Sequence, residues 1–149
     1  MTTITLTERI TAPVEKVFAT VGDANEFLKV IPSVVRVEFL TEVRKGVGSK
    51  FREVRLMRGK EQAVVLDVTE YCENERIRLV SDCGGTIWDT IFTVREVGKE
   101  VELKMVMEVR AYTILAKVIN CFILGMLKKA IASDMALIRA YCEEEPAKA

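Results

Sequence analysis

The chain contains no histidine. That absence excludes a Ser-His-Asp triad, a Cys-His pair and any histidine-ligated metal site. Proton transfer, if any, falls to Asp, Glu, Lys, Tyr or Cys. The four cysteines, Cys72, Cys83, Cys121 and Cys142, are widely spaced and form no CxxC pair, so they read as buried thiols rather than a zinc site or a disulfide framework. Neither a metal nor a cofactor is expected. Net charge is lacking too: 22 basic residues balance 22 acidic ones. A nucleic-acid partner usually shows as an excess of Lys and Arg, and none is expected.

Long apolar runs are also missing. The most apolar stretch, Ile114 to Leu127, is broken by Lys117 and Asn120 and falls short of the roughly 20 residues that span a bilayer. No stable membrane insertion is expected. The start, Met1-Thr2-Thr3-Ile4, lacks the basic and apolar regions of a signal peptide. The expectation is a soluble, cytoplasmic protein. With 149 residues, half of them hydrophobic, the chain fits one domain, 1–149, with 143–149 as a frayed tail.

What is present is one long periodic segment. Residues 114–143 hold no proline and a single glycine, Gly125, and read as one helix. The most apolar face carries Leu115, Ile119, Phe122, Ile123, Met126, Leu127, Ala130, Leu137, Ile138 and Tyr141. A second apolar stripe, Ile114, Val118, Cys121 and Gly125, lies away from it. Cover from the loop after the second helix, a homodimer contact or a membrane-facing entrance each account for that stripe.

Ahead of this helix the pattern changes period. Ile4, Leu6 and Ile10 alternate with polar residues as a first strand, with Glu8 on the apolar side. Ala12-Pro13 opens a short helix bearing Val14, Val17, Phe18 and Val21. Asp23 and Glu26 resemble a capping box for a second short helix, which stops near Ile31 because Pro32 follows. Six strands follow, roughly 34–42, 49–57, 62–72, 76–83, 86–97 and 100–111. Several of their breaks are hairpin signals, among them Gly59-Lys60, Gly84-Gly85 and Gly98-Lys99.

Turn geometry then assigns faces. A turn at Gly98-Lys99 sets Leu103 opposite Val94, Met105 opposite Phe92, Met107 opposite Thr90 and Val109 opposite Trp88. A turn at Gly84-Gly85 adds Ser81, Leu79 and Ile77. A turn at Gly59-Lys60 places Arg55, Glu53 and Phe51 against Val64, Leu66 and Val68. The expected inner face is broad and apolar with a few polar groups, which describes a ligand pocket and equally an ordinary core. As a pocket, its ligand contacts are Phe51, Glu53, Arg55, Leu66, Leu79, Trp88, Phe92, Met105 and Met107 from the strands, with Phe122 and Met126 from the helix. Arg55 either anchors a polar end of an apolar ligand or belongs to a structural ion pair, with Glu8 one candidate partner. Asp134 is either a general base or a partner of the backbone or a nearby arginine.

The segment Ile10-Thr11-Ala12-Pro13-Val14-Glu15-Lys16-Val17-Phe18 resembles the opening motif of the START-like, polyketide cyclase/dehydrase superfamily (SRPBCC, Bet v 1-like). The helix ending at Ile31-Pro32, the Gly46-Val47-Gly48 turn and the long last helix extend the likeness over nearly the whole chain. The resemblance implies an α+β helix-grip fold: a seven-stranded antiparallel sheet wrapped around a long C-terminal helix, with two short helices after the first strand. It also implies a cavity for a small hydrophobic molecule of lipid, polyketide or aromatic type, between sheet and helix. The alternatives it carries are a cyclase/dehydratase-type enzyme using Asp134, Glu53 or Tyr112, and a coenzyme-Q-binding-like protein. Asn25 to Pro32 is similar to the latter branch but lacks its early tyrosine and proline.

Overall fold

A computed structural model describes residues 2–144. The elements run β1 (Thr2–Ile10), α1 (Val14–Gly22), α2 (Ala24–Val30), β2 (Val34–Phe39), β3 (Lys50–Met57), β4 (Lys60–Cys72), β5 (Arg76–Cys83), β6 (Thr86–Val97), β7 (Glu100–Ala111) and α3 (Ile114–Glu143). All seven strands form one antiparallel sheet in the order β1-β7-β6-β5-β4-β3-β2. This is the expected α+β arrangement. Of the tail expected to fray, Glu143 ends α3 and accepts the Thr11 N–H at 2.8 Å, and 145–149 lie outside the described residues.

Two hairpins take the expected register. Val94 opposes Leu103, Phe92 opposes Met105, Thr90 opposes Met107 and Trp88 opposes Val109. Across β5 and β6, Ile77, Leu79 and Ser81 oppose Phe92, Thr90 and Trp88. The β3–β4 turn sits one residue earlier than expected, at Arg58-Gly59, both with positive φ (52° and 77°). An arginine seldom adopts that conformation, so the sequence pointed one residue downstream. Moving a two-residue turn by one position moves the pairing by two. Glu53 therefore meets Val64 and Phe51 meets Leu66, and the faces are kept.

The core is one cluster between the inner face of the sheet, α1, α2 and the C-terminal half of α3. Asp23 ends α1 and caps α2, its carboxylate accepting the Asn25 N–H at 2.9 Å. Glu26 binds Lys29 rather than reaching back to the cap, so the expected reciprocal box is only half made. Cys142 alone of the cysteines is buried; Cys72, Cys83 and Cys121 are exposed, against the expectation of buried thiols. They stand near strand ends and on the outward side of α3, where apolar character alone does not bring burial.

The tip of the β5–β6 hairpin sets where α3 begins. Gly85 has φ +81°, and a Cβ there would lie 2.5 Å from the Thr113 hydroxyl oxygen. That hydroxyl caps α3 by accepting the Ala116 N–H at 3.1 Å. Tyr112 N–H donates to the Gly85 carbonyl at 2.8 Å. Gly85→Ala combines a disfavoured φ with a clash on the cap, and should destabilise by about 1–3 kcal/mol in urea unfolding.

The outer face carries a buried carboxylate. Asp89, with a side chain 4% exposed, accepts from Arg78 Nε at 2.8 Å and from Arg110 Nη2 at 3.3 Å. The Arg78 bonds hold the Asp89 pKa below its ordinary value, more than offsetting the opposing effect of burial. Folding therefore favours the ionised form. The stabilisation is complete above the ordinary aspartate value of 3.8 and is lost as pH falls through the lowered folded-state value. Asp89→Asn should cost roughly 1–2 kcal/mol at neutral pH, discounted because both arginines are about a third exposed. The gap between the urea midpoints of the two proteins should close in strong acid.

Candidate functional site

The inward stripe of α3 differs from the one the sequence favours. Ala116, Asn120, Leu124, Leu127, Ile131, Met135, Ile138 and Cys142 repeat every three or four residues and face the protein. Leu127 and Ile138 were expected there. Leu115, Ile119, Phe122, Met126, Ala130 and Leu137, also assigned inward, are exposed, while Ile123 and Tyr141 are half-buried, Tyr141 against the core. The stripe that is covered contains an asparagine, two small residues and fewer large side chains than its neighbour, so ranking by hydrophobicity selects the wrong one. Asn120 is buried because its Nδ2 donates to the Thr86 hydroxyl at 3.0 Å, a partner 34 residues away in sequence.

This stripe is held at its two ends. Ala116 and Asn120 are buried at the β5–β6 tip, and Met135, Ile138 and Cys142 are buried in the core. Between Asn120 and Met135 none of its side chains is fully buried; Leu124, Leu127 and Ile131 are half-buried. The sheet shows the same incomplete cover. Leu66, Leu79, Trp88 and Met107 belong to its inner face, yet all four are only half-buried. Solvent thus reaches an apolar groove where a packed core would exclude it.

The expected strand contacts divide into two groups. Leu66, Leu79, Trp88 and Met107 are half-buried on the inner face, while Phe51, Phe92 and Met105 are buried as core. Phe122 is 84% exposed and Met126 50% exposed, on the outward side of α3. The Met126 sulfur accepts from Arg58 at 3.0 Å. Leu124 and Ile131, which the sequence reading missed, take inward positions of α3. Their signal was the regular spacing from Ala116 to Cys142, masked by the more apolar stripe beside it.

One polar group in the core lacks a partner among the described residues: the Ser81 hydroxyl. Ser81 is 2% exposed and sits opposite Trp88 in the sheet. A buried hydroxyl of this kind calls for an explanation such as water or a ligand.

Charged residues form a second polar point. Arg55 Nε donates to Glu53 at 2.6 Å, and Nη1 donates to Asp134 at 3.0 Å. The guanidinium lies 5.7 Å from the centroid of the Phe27 ring. Burial opposes its charge, but Glu53 and Asp134 outweigh that and raise its pKa above the ordinary value. Of the two readings of Arg55, the ion pair is present, with Asp134 where Glu8 was a candidate. Glu8 instead lies 3.6 Å from Arg139. Two of the five guanidinium N–H groups serve these carboxylates, so a role toward a ligand is compatible with the pair. Tyr112 stands apart, 59% exposed and donating to Asp82 at 2.8 Å.

The structure differs from the expected closed cavity. Two clefts, of about 130 and 120 Å³, lie elsewhere. The first is lined by residues including Phe18, Lys45 and Tyr71, the second by the outer-face residues around Asp89. Neither approaches the roughly 300 Å³ of a small-molecule site. Between sheet and helix the apolar side chains of both walls are half-buried, so the gap between them is open to solvent.

Arg55→Met should leave Glu53 and Asp134 facing each other without a cation. Urea unfolding should show a loss of about 2 kcal/mol, below the value for a fully buried pair because Arg55 is 28% exposed. Adding Glu53→Gln and Asp134→Asn should recover most of it.

The family model described as polyketide cyclase / dehydrase and lipid transport matches residues 1–143. No curated protein matches the chain. Among solved structures, Ara h 8.0201 is similar at 15% identity over 95% of this chain and 97% of that one, with a TM-score of 0.72. A START superfamily protein from Mycobacterium smegmatis is similar at 17% identity over 88% and 94%, with a TM-score of 0.64. The di-domain ARO/CYC BexL of the BE-7585A biosynthetic pathway is 17% identical over 97% of this chain and 51% of that one, with a TM-score of 0.75. At these identities the likeness establishes the shared helix-grip fold.

Proposed function

The chain belongs to the polyketide cyclase / dehydrase and lipid transport family, and from that premise we propose that it binds a small hydrophobic ligand in the groove between the sheet and the middle of α3. The observation that carries this reading is the row of half-buried apolar residues on facing elements: Leu66, Leu79, Trp88 and Met107 on the sheet, Leu124, Leu127 and Ile131 on the helix. A ligand here completes burial that the chain leaves unfinished. Each Å² of apolar surface it covers contributes roughly 25 cal/mol before the entropy of association is subtracted. Met107, with three rotatable bonds, lets the wall adjust as the ligand enters. The Ser81 hydroxyl and the Arg55 guanidinium offer hydrogen bonds to a polar end. The ligand is therefore of lipid, polyketide or aromatic type with at least one oxygen.

A second reading, a cyclase- or dehydratase-type reaction, draws on one observation: two carboxylates, Glu53 and Asp134, flank a single arginine. The groove serves the substrate equally well in that case. Liquid chromatography with mass spectrometry separates the two. Binding returns the molecule at its original retention and mass; a cyclisation changes retention at the same mass, and a dehydration removes one water.

Trp88 is the sole tryptophan, so intrinsic fluorescence reports on this groove alone. Titrating the protein with 1-anilinonaphthalene-8-sulfonate, and with fatty acids or aromatic polyketides, should shift or quench Trp88 emission saturably. Leu79→Lys should weaken the response about tenfold or more by placing a charge on the apolar wall. An emission spectrum unmoved by every such compound would refute the proposal.

A further inference from the structure

The outward side of the N-terminal half of α3 is unlike the rest of the surface. Leu115 is 70% exposed, Val118 51%, Ile119 45%, Phe122 84% and Met126 50%. They form one stripe that extends for roughly 16 Å along the helix, at 1.5 Å per residue. Isolated exposed apolar side chains are ordinary, but a continuous stripe of this length marks a contact surface.

The charges on this part of the helix have one sign. From Ala111 to Ser133 the chain has no acidic residue, while Lys117, Lys128 and Lys129 are all present and exposed. In a protein whose charges cancel overall, this is a local excess. At about 100° per residue, Lys129 continues the outward stripe about two turns beyond Phe122, and Lys117 and Lys128 run along one flank. Arg58, from the β3–β4 tip, adds a fourth cation where it reaches the Met126 sulfur.

We infer that this face of α3 docks on an anionic phospholipid surface. An apolar stripe bordered by lysines is the pattern of a helix that lies in the bilayer interface, its apolar side among the acyl chains and its cations at the headgroups. Docking in this way involves no spanning segment, consistent with the described helices, none of which is long and apolar enough to cross a membrane. Charge also argues against a second copy as the occupant. A two-fold contact through this stripe turns each copy's lysines toward the other's, with no carboxylate on this part of the helix to meet them. The inference is independent of the groove, whose residues lie on the inward side of α3.

The test is co-sedimentation of the full chain with vesicles of phosphatidylcholine, alone or mixed with phosphatidylglycerol. Capture should occur with the mixed vesicles and should weaken as salt is raised. Phe122→Asp should lower the apparent affinity at least about tenfold, and each of Lys117→Ala, Lys128→Ala and Lys129→Ala about fivefold. Failure of the mixed vesicles to capture the protein, equal capture by pure phosphatidylcholine, or variants that bind like the parent would each overturn the assignment. A dimer that Phe122→Asp splits, without vesicle capture, would overturn it in favour of self-association. Should Phe122→Asp fail to fold by circular dichroism, Phe122→Trp in a Trp88→Phe background carries the test. Its emission should move to the blue with mixed vesicles, and a fixed emission would reject docking. Trp88 emission in the parent reports the groove separately, so loss of one function is distinguishable from loss of the other.

Discussion

The way α3 is held governs the rest of this molecule. At its start, the Thr113 cap, the Asn120–Thr86 hydrogen bond and the close approach of Gly85 fasten it to the β5–β6 hairpin. At its end, Met135, Ile138 and Cys142 are buried in the core, and Glu143 receives the backbone of Thr11. A helix is stiff between such points. Its middle therefore cannot collapse onto the sheet, and the side chains there remain half-covered. The groove is a consequence of that geometry, and so is the exposure of the outward stripe, since one helix cannot turn two opposite apolar faces to the same sheet.

Charge placement follows from the same frame. Arg55 and its two carboxylates bridge β3 and α3, where burial makes an unpaired ion costly and a paired one tolerable. On the outer face Asp89 is buried by two arginines instead of by apolar side chains. In both places, removing one partner leaves a largely buried ion without its counter-charge.

The chain belongs to the polyketide cyclase / dehydrase and lipid transport family, and the proposed ligand site has two polar points. The two polar points differ in kind. Ser81 is a neutral hydroxyl beside the sole tryptophan. Arg55 is a cation already shared by two carboxylates.

The number of strands, their positions to within about three residues (β2 ends at Phe39 where 42 was expected, and β4 begins at Lys60 where 62 was expected), the span of α3 and two of three argued hairpin registers were legible in the sequence, because alternation and two-residue turns are local signals. The Arg58-Gly59 turn was misread by one residue, since its first position holds a residue that seldom takes a positive φ. The site was legible in part. Leu66, Leu79, Trp88 and Met107 were placed on the inner face correctly, but which of the inner residues are open and which are sealed was not readable. By itself the sequence determined the order of elements, the pairing of the β3–β4, β5–β6 and β6–β7 hairpins and the family, all of which rest on neighbours close in the chain. Only the tertiary structure decided which stripe of α3 turns inward, because that choice depends on Asn120 meeting Thr86 and Asp134 meeting Arg55, contacts between residues far apart in the chain.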